Sequence, residues 1–203
     1  MSDQQQMRSV IIVLMVVSLL VTGSIALLLL SGDEDKASMS SSRQVGDDFL
    51  LNSNNGPVSL HQFRGQAVLL FFGYTHCPDV CPTTMSNVAD AMDILSTEEQ
   101  RLVQPLFVTV DPVRDTVEHL AKYVAFFHPK LIGLSGSEAQ IKKAAEAFSV
   151  QYFRDDLTDA GKENYYMNHT SYLFLLDPDG KVVDLMSDHT SPKDIAAALR
   201  QVI

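Results

Sequence analysis

Residues 67–85, AVLLFFGYTHCPDVCPTTM, decide how the chain is read. The first six residues are a continuous apolar run. That is the pattern of a central strand covered on both faces. The run stops at Gly73, and both cysteines of the chain, Cys77 and Cys81, follow at once. In open α/β sheets, functional sites lie at the carboxyl ends of central strands. The two cysteines are four apart, a helical spacing. Pro82 disfavours a helical Cys81, because the residue before a proline avoids the α region. The expectation is therefore that Cys81 caps a helix starting at Pro82 and running to about Leu95. Both sulfurs would then sit near a helix N-terminus, where thiolate is favoured.

Outward from this stretch the chain alternates. A second apolar run, LFVTV, ends at Asp111-Pro112. Thr116 opens a helix with Val117, Leu120, Val124 and Phe127 on one face, and the helix stops at His128-Pro129. Ser137 and Gln140 form a capping box. Residues 171–176 and 182–186 flank Asp177-Pro178-Asp179-Gly180, a hairpin turn. Ser191-Pro192 starts the last helix. Strands alternating with helices, then a hairpin and a helix, predict an α/β domain. The simplest such layout is thioredoxin-like, a mixed central sheet with flanking helices.

Residues 10–30 carry no charge and are long enough to cross a hydrocarbon core of about 30 Å. They exceed the apolar region of a cleaved signal peptide. A single N-terminal transmembrane helix is expected, with residues 1–9 in the cytoplasm, since Arg8 precedes it and Asp33, Glu34 and Asp35 follow. Residues 1–7 are unlike a mitochondrial presequence. That points to a bacterial inner membrane, with the C-terminal domain in the periplasm. Residues 31–44, SGDEDKASMSSSRQ, are a polar linker, and residues 45–203 the folded domain. The formal charge of −10 argues against nucleic acid as a partner.

The cysteine pair admits three readings. A structural disulfide would close a very small loop and gain little. A redox dithiol is possible, although thioredoxins space their cysteines by two residues. A soft-metal site needs a third donor, and Cu(I) suits two thiolates and an imidazole better than zinc does. Six histidines compete for that place. His61, His119 and His189 read as loop or helix-surface residues, and His128 as a helix-end residue that favours the dipole. His76 adjoins Cys77, but neighbouring side chains in extended backbone point apart. His169 precedes a strand whose start, in a thioredoxin-like layout, lies beside the active-site loop. Met85 and Met92 read as core. No phosphate loop, hydrolase triad or haem-attachment motif is present.

Three stretches together, FRGQAVLLFFGYTHCPDVCPTTM, VTVDPVRDT and NHTSYLFLLDPDG, resemble the signatures of the Sco (SenC/PrrC-type) family. The resemblance covers residues 45–203. It implies a membrane-tethered, thioredoxin-fold copper chaperone that assists assembly of the binuclear copper centre of cytochrome c oxidase. Cys77, Cys81 and His169 would ligate one copper ion, Cu(I) favoured. Partners would be the oxidase's copper-centre subunit and a periplasmic copper donor or thiol reductant. Asp79 and Asp111 match acidic positions of the family motifs, Asp111 with a structural role or one supporting the metal ligands. Val113 stands where many relatives carry an acid. The alternative is a thiol–disulfide oxidoreductase that reduces the acceptor's cysteines before metal loading, using Cys77 and Cys81 alone. The polar segment 155–163 reads as a solvated loop, with partner recognition as the sharper alternative.

Overall fold

The computed structural model describes residues 46–155 and 165–203, together with residues 15 and 18–20. The expected anchor (residues 10–30, but for those four) and linker lie outside the described residues. So does the acidic segment beyond Asp155. Among the described residues no helix is long and apolar enough to cross a membrane.

Strand β3 (Ala67–Gly73) is buried at every position, as a continuous apolar run requires. It pairs in parallel with β4 (Val103–Thr109), which pairs in parallel with β5 (Ile132–Leu134). On its other side β3 pairs antiparallel with β8 (Leu173–Leu176), and β8 with β9 (Val182–Met186). The sheet order is β5-β4-β3-β8-β9, a mixed five-stranded sheet centred on β3. Helices α1 (Val80–Ile94), α2 (Thr97–Arg101), α3 (Val117–Phe127), α4 (Glu138–Ala147) and α5 (Pro192–Leu199) flank it. This is the mixed α/β architecture expected from the sequence.

The caps behave as their chemistry dictates. Thr116, Ser137 and Ser191 each accept a backbone N–H of the first turn they cap. Ser137 and Gln140 close a reciprocal capping box, and Pro192 stands in the first turn of α5. Gly180 takes φ +72° in the β8–β9 turn, where a side chain would be strained. Phe71, Phe72, Phe107 and Phe148 are fully buried. Phe72, Phe148 and Phe174 pack ring against ring, with centroids 5.4–6.1 Å apart. Met85 and Met92, at 1% and 0% exposure, are core residues.

Three features depart from the sequence expectation. Helix α1 begins at Val80 with Asp79 as its N-cap, so Cys81 lies inside the first turn. Pro82 costs no hydrogen bond there, because the first N–H groups of a helix have no intrahelical acceptor. Strands β1 (Leu50–Ser53) and β2 (Gly56–Ser59) form an unanticipated hairpin. Strands β6 (Tyr152–Asp155) and β7 (Tyr166–His169) form another. His169 therefore ends a strand of its own, paired with Tyr152, and β8 starts at Leu173.

Candidate metal centre

The topology brings the site together. Because β8 runs antiparallel to β3, its first residue, Leu173, lies beside Phe71 near the carboxyl end of β3. His169, four residues earlier, thus arrives at the loop that follows β3. That loop carries Cys77, and the first turn of α1 carries Cys81. The sulfurs of Cys77 and Cys81 and a ring nitrogen of His169 lie within 4.8 Å of one another. Cys81 is fully buried, and Cys77 and His169 are half-buried. Both cysteines are free thiols.

The orientation of His169 suits a ligand. Its Nδ1 is 3.0 Å from the carbonyl oxygen of Thr170. A carbonyl only accepts, so Nδ1 carries the proton and donates it there. In the neutral ring Nε2 keeps its lone pair, and it lies 3.5 Å from the Cys81 sulfur. Fixing one ring nitrogen by a backbone carbonyl turns the other toward the position a metal ion would take. Thr170 is itself anchored, its N–H donating to the Gln151 carbonyl at 2.9 Å. The imidazole is also walled by aromatic rings. Phe71 and Tyr74 meet it edge-on, with centroids at 6.0 and 5.9 Å.

The two sulfurs differ in protonation. The Cys81 thiol donates to the Cys77 sulfur, which pulls the Cys77 thiol far below its ordinary value against the effect of burial. The same hydrogen bond, reinforced by burial, pushes the Cys81 thiol up. The pair thus keeps one proton, on the buried sulfur. The backbone N–H of Cys81, in the first turn of α1, points at the Cys77 sulfur at 3.5 Å. A free cysteine titrates near about 8.5. Reduced protein treated with iodoacetamide at pH 6 is therefore expected to be alkylated at Cys77 and spared at Cys81. Equal rates at the two positions, read by peptide mass spectrometry, would contradict this assignment.

Gly73 explains how the site closes. A Cβ there would come within 2.8 Å of Phe71 Cε1, 2.9 Å of Cys81 Sγ and 3.1 Å of Phe107 Cε2. Gly73→Ala must displace the sulfur or a core ring. The expected cost is about 1–3 kcal/mol of stability, from overpacking. Weaker metal binding should accompany it, read by chemical denaturation and competition titration.

Two thiolates and one imidazole are a soft donor set, suited to Cu(I). A closed zinc site wants four protein ligands. The other sequence candidates fall elsewhere. His61 faces Asp48, at 3.3 Å, and His189 faces Asp188, at 3.7 Å, both on the surface. His128 is buried at the end of α3, where desolvation lowers its pKa, so a charged interaction with the helix dipole is disfavoured. His76 and His119 face each other in a different cluster, without either cysteine. Asp111 is structural: it accepts from Arg114 Nε and, at 2.7 Å, from the Tyr165 hydroxyl. Asp79 is exposed and caps α1 without a side-chain bond. Val113 is 70% exposed, so its departure from the acidic pattern falls on a solvent-facing loop. Sequence reasoning missed Tyr74 and Gly73. Gly73 was open to inference, since strand alternation sets it on the same face as Phe71.

A family model, SCO1/SenC, matches residues 37–203. Protein sco1 of Schizosaccharomyces pombe is 34% identical over 157 residues, 77% of this chain and 60% of that protein. An SCO2-like protein of Rickettsia felis is 37% identical over 158 residues, 77% of this chain and 76% of that one. Among solved structures, Bradyrhizobium japonicum ScoI with copper bound superposes with a TM-score of 0.68 at 36% identity, covering 78% of this chain and 99% of that one. The match spans most of the sequence and all the elements that build the sulfur site, and the chain belongs to the SCO1/SenC family.

Proposed function

We propose that this chain is a copper chaperone that holds one Cu(I) on Cys77, Cys81 and His169 and assists assembly of the copper centre of cytochrome c oxidase. The observation that carries the reading is the placement of the His169 ring. Its Nδ1–H is committed to the Thr170 carbonyl, so its Nε2 lone pair faces the buried Cys81 sulfur. A structural histidine needs no such alignment; a ligand does. Copper in the Bradyrhizobium japonicum structure supports the choice of metal. As cargo, the ion would leave by exchange of thiolate and imidazole ligands with those of the acceptor, one donor at a time. Oxidation of the pair to a disulfide removes both thiolate donors and with them the affinity.

The same reading has residues 10–30 as a single-pass anchor in a bacterial inner membrane, residues 31–44 as a tether and residues 45–203 as the periplasmic domain. It is supported by the uncharged 21-residue run and by the acids that follow it.

A second reading is favoured by one observation: the Cys77 sulfur takes the Cys81 backbone N–H at 3.5 Å at the start of α1, which with the Cys81 thiol favours a Cys77 thiolate. A dithiol with one thiolate and one neighbouring thiol is the form that attacks a disulfide. On this reading the chain reduces the acceptor's cysteines before metal loading. The two separate in one assay. Reduced protein is mixed with the copper-binding domain of the oxidase subunit in two arms: Cu(I)-loaded protein with the reduced acceptor, and copper-free protein with the oxidised acceptor. The chaperone reading expects copper to move to the reduced acceptor, and His169→Ala to lose that transfer. Thiol appearance on the oxidised acceptor, unaffected by His169→Ala, with no copper passing from the loaded protein to the reduced acceptor, would support the reductase instead.

A further inference from the structure

Beside the sulfur site a second set of donors converges on one point. His76 lies on the loop after β3, Asp115 just before α3, and His119 in the first turn of α3. Their ligand atoms lie within 4.8 Å of one another. The hydroxyl of Thr75 sits among them, 3.1 Å from His76 Nδ1, 2.6 Å from Asp115 Oδ1 and 2.9 Å from His119 Nε2. One hydroxyl proton and two lone pairs satisfy all three contacts. Three donors about 3 Å from a common point also come close to the geometry of a bound divalent ion. Such an ion holds its ligands at about 2.0–2.1 Å, so tetrahedral donors stand roughly 3.3 Å apart. His76 Nδ1 and Asp115 Oδ1 are already 3.8 Å apart.

The carboxylate distinguishes this cluster from a chance pair of surface histidines. Asp115 is fully buried. Its Oδ2 accepts from the Thr75 backbone N–H at 3.0 Å and from the Thr109 hydroxyl at 2.7 Å. Those bonds fix the carboxylate plane and leave Oδ1 turned toward the imidazoles, as second-shell donors orient a ligating carboxylate. The two imidazoles are stacked, with centroids 6.0 Å apart and planes 27° from parallel. Both are exposed and line an open cleft of about 870 Å³. An ion can therefore arrive with water as its remaining ligand, and the exposed rings can move inward by about an ångström to meet it.

We propose that His76, Asp115 and His119 form a second metal site, for a borderline divalent ion such as Zn²⁺ or Cu²⁺. Two nitrogens and an oxygen, with no sulfur, suit those ions and disfavour Cu(I). The site is separate in donor set and charge preference from Cys77, Cys81 and His169. An ion held there ties the loop that carries Cys77 to the first turn of α3, with the Thr75 hydroxyl either turned aside about χ1 or retained as a further donor.

The test uses Co²⁺ as the probe, titrated into the purified full chain carrying Cys77→Ser and Cys81→Ser. One equivalent is expected to bind, with visible d–d bands and no sulfur-to-metal charge-transfer band. Adding His119→Ala or His76→Gln should weaken binding by about tenfold or more, and adding His169→Ala should leave it unchanged. Thermal midpoints of the apo variants establish that each is folded. In the wild-type chain, should the serine variant fail to fold, His119→Ala lowers the Co²⁺ stoichiometry from two to one. The proposal is overturned if the folded serine variant takes up no stoichiometric Co²⁺. It is equally overturned if uptake survives both His76→Gln and His119→Ala, or is lost with His169→Ala.

Discussion

Cys81→Ser is expected to weaken Cu(I) binding on the order of 1,000-fold or more, about 4 kcal/mol at 1.4 kcal/mol per tenfold. The substitution replaces a soft sulfur by a hard hydroxyl at nearly the same volume, so it tests the donor and not the packing. Cys81 is the buried member of the pair, at 0% exposure, so water cannot take over its place on the ion. Its sulfur also lies 3.5 Å from His169 Nε2. Competition with a chromophoric Cu(I) chelator under anaerobic conditions measures the change, and circular dichroism checks that the variant is folded. A loss of less than tenfold would mean that the buried sulfur is not a ligand.

Phe71→Ala is expected to cost about 3–5 kcal/mol of stability, the range for a buried phenylalanine reduced to a methyl group. Phe71 has no exposed surface. It sits on the central strand between Phe107 of β4 and Leu173 of β8. Its ring meets Phe107 at 6.1 Å and His169 edge-on at 6.0 Å. For a domain of this size the thermal midpoint should fall on the order of 10 °C. Copper affinity should fall as well, by about tenfold, because the imidazole loses one wall of its slot. Phe126→Ala is the control. Phe126 is 86% exposed, and its removal should change stability by no more than about 0.5 kcal/mol. A loss below about 1 kcal/mol for Phe71→Ala would contradict the packing described here.

The difference between these two phenylalanines shows what the sequence could and could not convey. Residues 67–72 were readable as a central strand because an unbroken apolar run has few other uses. Thr116, Ser137 and Ser191 were readable as helix starts because capping is local chemistry. The donor set was readable from Cys77 and Cys81, with His169 supplied by fold analogy and by resemblance. The strand that carries His169 was not readable. Tyr166–His169 is four residues long, with no apolar alternation, and its partner Tyr152–Asp155 lies across the segment 156–164. Strands that short owe their existence to long-range pairing, which a single sequence does not display. The β1–β2 hairpin did carry a signal. Asn54-Asn55 form its turn, and Gly56, the first residue of β2, adopts φ +109°. Helix α1 starts at Val80, two residues ahead of the expected Pro82, because the first turn tolerates proline throughout.

His119 and Asp115 are a different kind of omission. One looked like a helix-surface histidine, the other like part of a loop motif. Only the fold brings them to Thr75 and His76, forty residues away in the chain. Convergence of that kind is a property of the sheet order, which places the loop after β3 beside the segment after β4.

The central claim is that His169 completes a three-donor copper site with the two thiolates. Its most direct test is an anaerobic Cu(I) titration of the reduced chain and of His169→Ala against the same chelator. The account predicts one tightly bound Cu(I) in the wild type and a loss of about 10- to 100-fold in the variant. Equal affinity in the two proteins would contradict it and leave Cys77 and Cys81 as a redox pair.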